Sequence, residues 1–135
     1  MDVQFHDDFW APRIERNRTV TLPHVWKQCQ DSGELDNFAK AAGLKAGPFR
    51  GRPPRDSDVY KLIEAASSIL AVRPDAELEG RLDALIAQIA AAQETDGYLY
   101  TARRLIPPEK MPFACVQIIL PRFDQGRLEG LGARG

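Results

Sequence analysis

Thiols and imidazoles are scarce in this sequence: two cysteines, Cys29 and Cys115, and two histidines, His6 and His24. With no second thiol near either cysteine, a disulfide scaffold and a Cys-x-x-Cys zinc or redox motif are excluded. His24 and Cys29 stand five positions apart and do not share a helix face, so the chain alone is expected to hold no metal. Neither sign of charge dominates. Eighteen Lys and Arg against nineteen Asp and Glu leave a net charge of -1, which lacks the electrostatic footprint of a dedicated nucleic-acid binder. No apolar run approaches the roughly 18 residues of a membrane span. The opening residues, Met1 to Asp8, lack the basic start and apolar core of a signal peptide. A cytoplasmic chain with no membrane or nucleic-acid partner is expected. No Gly-rich phosphate motif occurs either.

What is present is 135 residues, 44% hydrophobic and 27% charged, enough for one globular domain. Residues 56 to 97 are the most legible. Asp56-Ser57-Asp58 offers short oxygen-bearing side chains to cap a helix, and Val59, Ile63, Ala66 and Leu70 recur every three to four residues, widened by Leu62 and Ile69. Val72-Arg73-Pro74-Asp75 stops that helix. A second is expected from about Asp75 to Thr95, with Leu78, Leu82, Leu85, Ile86, Ile89 and Ala90 to Ala92 on its apolar side and Asp96-Gly97 as its end. Together they form an αα-hairpin. Gly80 is a weak point in the second helix.

The N-terminal third is less regular. Phe9-Trp10-Ala11-Pro12-Arg13 reads as an extended apolar anchor, followed by a helix through Arg18, a break at Pro23, a helix from His24 to Gln30 and a turn at Asp31-Ser32-Gly33. Another helix is expected from Asn37 to Ala42, closed by Gly43. Residues 45 to 55 carry four basic side chains, three prolines and two glycines, which reads as a solvated connector in preference to a phosphate-gripping loop. After Thr101 the chain reads as irregular, and Cys115-Val116-Gln117-Ile118-Ile119-Leu120 reads as a strand with no evident partner.

Several blocks in order are more specific than generic helix. They are Asp8-Phe9-Trp10-x-Pro12-Arg13, Asn37-Phe38 with Ala41-Ala42-Gly43, Asp56-Ser57-Asp58-Val59-Tyr60-Lys61 with Glu64-Ala65-Ala66, and Ala92-Gln93 with Asp96-Gly97-Tyr98-Leu99-Tyr100-Thr101. Over residues 3 to 112 the chain resembles the N-terminal part of the catalytic domain of glycoside hydrolase family 127, the β-L-arabinofuranosidase-like proteins. Residues 113 to 135 form a divergent tail. The resemblance implies an all-α chain of helical hairpins forming the first part of an (α/α)6 barrel, with an irregular C-terminal tail. One hairpin takes 42 residues here, and six need about 250.

The resemblance also implies a zinc-bound cysteine nucleophile and a glutamate acid/base, both from the later part of the barrel. Neither cysteine and no carboxylate of this chain aligns with them, so no catalytic residue and no zinc ligand is carried over. Asp58, Tyr60 and Lys61 are the substrate-binding candidates that the resemblance places near a sugar, although capping is the preferred reading of Asp56 and Asp58. Tyr98 and Tyr100 are weaker stacking candidates, more often core in such a position. Arg52-Pro53-Pro54-Arg55 and Leu62 depart from the family pattern, and the His-Glu-Leu-Tyr-Asn-like helix expected after Pro112 is missing. A truncated or frame-shifted fragment, inactive by itself and prone to self-association, fits these features. A helical binding module and a complementing subunit of a divided barrel are the alternatives, and carbohydrate is a partner only of a completed barrel.

Overall fold

The computed structural model describes residues 7–111, whose regular secondary structure is all helical, with no strand among them. Six α-helices follow one another: α1 Trp10–Arg16, α2 Leu22–Ser32, α3 Glu34–Ala41, α4 Asp56–Val72, α5 Ala76–Ala92 and α6 Thr101–Leu105. Short 3-10 turns occupy Pro53–Arg55 and Pro108–Lys110. No helix among the described residues is long and apolar enough to cross a membrane. The strand expected at 115 to 120 and the tail from 113 lie outside the described residues.

The α4–α5 hairpin follows the apolar periodicity. Val59, Leu62 and Ala66 from α4 meet Leu82, Leu85, Ile89 and Ala92 from α5 in one buried cluster, with Ile63, Ile69 and Leu70 packed at its edge. Asp75 begins α5 as read, its side chain accepting the Leu78 amide at 3.1 Å. The helix stops at Ala92, short of Thr95, because Gln93 is extended and the carbonyls near the end find other donors. Arg104 of α6 donates to Ala92 O at 3.0 Å. Gly97, at φ 85°, belongs to the turn that follows, where the Glu94 amide donates to Tyr98 O at 2.8 Å. Ala90 and Ala91 are exposed, so only Ala92 of that trio packs.

The N-terminal third and the segment after Thr101 are more helical than their sequence suggests. Residues 10 to 16 are helical rather than extended, since Asp7 accepts the amides of Phe9 and Trp10. Pro12 lies in the first turn, where a missing N–H costs nothing. Phe9 and Trp10 stack edge to face at 5.0 Å and remain about half exposed, so they anchor nothing among the described residues. Pro23 does not break the chain's helical course. A π-helical stretch, Asn17–Thr21, runs directly into α2, and the Leu22 amide reaches back to Asn17 O. That wider turn keeps the proline ring off the carbonyl it would strike in a regular α-helix. Residues after Thr101 are not irregular either: α6 starts there.

Gly33 alone separates α2 from α3. Its φ of 85° turns the chain left-handed, and α3 begins at the next residue. α3 packs against α2, α4, α5 and α6, which places Phe38 at full burial. The basic loop before α4 is exposed along most of its length, as a solvated connector is, and it is also pinned to α3. Asn37, 1% exposed, donates to Arg50 O at 2.8 Å and accepts the Arg50 amide at 3.1 Å, and Lys40 donates to Pro48 O at 2.8 Å. A Cβ on Gly33 would lie 2.8 Å from Arg50 Cβ, in the same packed corner. Gly33→Ala is therefore expected to lower stability by about 1–3 kcal/mol, read as a fall in the urea midpoint. Gly80→Ala, on an open face of α5 with nothing within 4 Å, is expected to raise it by about 0.5–1 kcal/mol.

Candidate functional site

An open groove of about 510 Å³ runs between α2 and α4. Leu22, Val25 and Cys29 form one wall, and Leu62, Ala65 and Ile69 the other. Asn17 and Thr21, from the π-helical stretch, contribute polar edges. The lining also carries charge of both signs, from Glu34, Arg55, Asp58 and Lys61.

Asp58 and Lys61 are one helical turn apart, and the Lys61 ammonium donates to Asp58 Oδ1 at 3.0 Å. Their side chains are 41% and 72% exposed, so the pair contributes little to stability and leaves donor and acceptor capacity facing solvent. Tyr60 does not line the groove. Its ring meets Phe38 at 5.9 Å in the core, and burial, with the Asp56 charge adding to it, pushes its hydroxyl well above the usual phenol range. The structure thus brings Asp58 and Lys61 together and sets Tyr60 behind them. Tyr98 is half-buried under the Arg103 guanidinium, 4.6 Å from the ring centre, and Tyr100 is 6% exposed in a small cluster with Ala102.

Asp56 and Asp58 do not cap α4, which overturns the preferred reading of both. Asp56 is 6% exposed and accepts from Thr101 twice, the hydroxyl at 2.7 Å and the backbone amide at 2.8 Å. Burial holds its carboxyl above the ordinary range, against the pull of both Thr101 bonds.

Two groove residues escape local reading. Glu34 is almost fully buried, and Arg55 reaches it at 3.1 Å. Cys29 is 5% exposed, and its thiol is pushed up to about 11 by burial first, then by the Glu34 charge and the hydrogen bond to it. No pattern of residue types joins positions 29, 34 and 55; the turn at Gly33 and the return of the chain before α4 do. Cys29 is a protonated, packed thiol and not a nucleophile at neutral pH. Site-resolved alkylation of Cys29 is expected to be much slower in the native chain than in urea. The raised thiol also lowers stability as pH climbs from about 9 towards about 11, because the unfolded thiol ionises first. Equal labelling rates in both states would contradict this.

The zinc implied by the family resemblance needs three or four His, Cys or carboxylate ligands. Cys29 and Glu34 are two donors, and among the described residues no group of three His, Cys, Asp or Glu side chains is placed to hold a metal ion.

Helices α2, α4, α5 and α6 pack around α3, with an open groove between α2 and α4, which defines an all-helical section of a larger domain. Residues 2–114 match the family described as "Beta-L-arabinofuranosidase, GH127 catalytic domain", and the chain belongs to that family. It is 32% identical over 120 residues to a non-reducing end β-L-arabinofuranosidase of Bifidobacterium longum subsp. longum, a match covering 75% of this chain and 18% of that protein. The crystal structure of a GH127 β-L-arabinofuranosidase from Geobacillus stearothermophilus T6 is similar with a TM-score of 0.76 at 35% identity, covering 82% of this chain and 18% of that one. A further solved GH127 β-arabinofuranosidase gives 0.75 at 38% identity, covering 87% and 19%. The chain spans under a fifth of the length of these relatives and corresponds to their N-terminal part.

Proposed function

We propose that these residues form the first section of a β-L-arabinofuranosidase-type barrel, contribute carbohydrate contacts to its mouth, and hydrolyse nothing alone. The match of residues 2–114 to a catalytic domain of which the chain spans so little carries this reading. Asp58 and Lys61 are the proposed contacts, since a carboxylate and an ammonium side by side can accept from and donate to sugar hydroxyls. Tyr60 backs them from the core. The reaction's nucleophile, acid/base and zinc are assigned to the remainder of the barrel. The near-balanced net charge of -1 supports a reading with no nucleic-acid role. The buried free thiol of Cys29 suits a reducing compartment, so a cytoplasmic location is proposed.

The test is turnover of a chromogenic β-L-arabinofuranoside. The 135-residue chain is expected to give none above a blank. Mixing it with the remainder of a family catalytic domain is expected to give turnover that Asp58→Ala and Lys61→Ala reduce. Turnover by the chain alone would refute the proposal. Because a short section of barrel leaves large apolar side chains such as Trp10, Val20 and Val72 exposed, the isolated chain is also expected to self-associate and melt broadly. A sharp melt from a monodisperse monomer would favour the alternative, a self-sufficient interaction module.

A further inference from the structure

The two most specific sequence blocks, residues 56 to 61 and 96 to 101, meet at one pair of side chains. Asp56 is the first residue of α4 and Thr101 the first of α6. Asp56 Oδ1 accepts the Thr101 hydroxyl at 2.7 Å and Oδ2 accepts the Thr101 amide at 2.8 Å. Thr101 is 0% exposed, so no water competes for either donor.

The first amides of a helix have no partner within it, and Tyr100, which precedes α6, supplies no side-chain cap. Asp56 therefore does for α6 what a capping residue does for its own helix, and does it from α4. A five-residue helix cannot sustain itself, so its placement rests on such outside contacts. On its own helix Asp56 stands two residues before Asp58 and five before Lys61. On the other side, Thr101 lies between Tyr98 and Arg103, which stack on each other.

We propose that Asp56 is a positioning residue: its carboxylate fixes residues 98 to 105 on the first turn of α4, and so fixes Tyr98 and Arg103 relative to Asp58 and Lys61. Its meaning for a sugar site rests on the function proposed above; its coupling of the two segments does not. Asp56 touches no substrate in this scheme and acts through the residues it places.

Backbone amide exchange on the full chain tests the coupling. Removing a charged acceptor from a buried amide and hydroxyl opens the segment locally, so Asp56→Ala is expected to speed exchange at residues 98 to 105 by about tenfold or more, with less than about twofold change in α2 and α3. Asp56→Asn keeps an acceptor for the amide and a donor for the hydroxyl oxygen, and is expected to restore slow exchange. Equal acceleration in every helix would overturn the proposal by making Asp56 a contributor to global stability only, and so would an unchanged rate at Thr101. Where Asp56→Ala fails to fold, Thr101→Val, which loses the hydroxyl bond and keeps the amide bond to Asp56 Oδ2, is expected to speed exchange at residues 98 to 105 by a smaller factor. Equal acceleration in every helix, or no acceleration anywhere in that segment, would overturn the proposal. Absence of turnover from the completed barrel would remove the carbohydrate reading and leave the exchange pattern standing. Where turnover is obtained, Asp56→Ala is expected to raise KM more than it lowers kcat, with rescue by Asp56→Asn; an unchanged KM would sever Asp56 from the site.

Discussion

Phe38→Ala is expected to abolish most of the helical circular dichroism of the isolated chain at room temperature. Phe38 is 0% exposed at the centre of α3, the helix on which α2, α4, α5 and α6 all pack, and its ring meets Tyr60 at 5.9 Å. Truncating a buried phenylalanine costs about 3–5 kcal/mol, through lost transfer energy and the cavity left behind. A whole domain is stable by about 5–15 kcal/mol, and a short section of barrel wall stands at the bottom of that range. Phe38→Leu, which keeps most of the volume, is expected to retain the helical signal with a lowered urea midpoint. Retention of full helicity in Phe38→Ala would mean that the core does not depend on α3.

The second large effect belongs to Thr101→Val. This substitution conserves shape and removes the hydroxyl that donates to Asp56 Oδ1, leaving a buried carboxylate with one partner fewer. Hydrogen bonds to charged groups contribute about 1.5–3 kcal/mol, and that loss is expected near neutral pH. The deficit is pH-dependent in a defined direction. In the native chain the Asp56 carboxyl already lies above its ordinary 3.8 because of burial, while the Thr101 bonds pull it down. Removing one of them raises it further. A carboxyl whose folded pKa is raised contributes stability that is full below about 3.8 and lost as pH climbs through the folded value. The gap between Thr101→Val and the unaltered chain is therefore expected to narrow on acidification and to be widest above the carboxyl's folded pKa. Urea midpoints measured across that range check it; a gap that widens on acidification would contradict the assignment of a destabilised carboxylate.

The order of the family blocks and the α4–α5 hairpin were legible because their signals are short-ranged. An apolar stripe at three- to four-residue spacing, an Asp at the start of α5 and the Val72 to Asp75 stop act within a turn or two of the backbone, and the helices formed at 56–72 and 76–92. The same local logic misassigned Asp56 as a cap. A short acidic side chain at a helix start satisfies the capping rule whether or not it turns inward, and Thr101 lies 45 residues away. It likewise expected a break at Pro23, since nothing in the adjacent residues announces a π-helical stretch that makes room for the ring.

Sequence alone determined that this chain is all-helical where described, that its most regular unit is a hairpin, and that it belongs with a barrel family of which it supplies only a part. Periodicity, caps and motif order are properties of neighbouring residues, so they survive without the fold. Tertiary structure alone decided that Asp56 faces Thr101, that Tyr60 packs on Phe38 while Asp58 and Lys61 look outward, and that Cys29, Glu34 and Arg55 share one groove. Those outcomes depend on which side of a helix finds a neighbour. Burial then sets the strength of each polar contact, because a carboxylate removed from water is worth only what its few remaining partners supply.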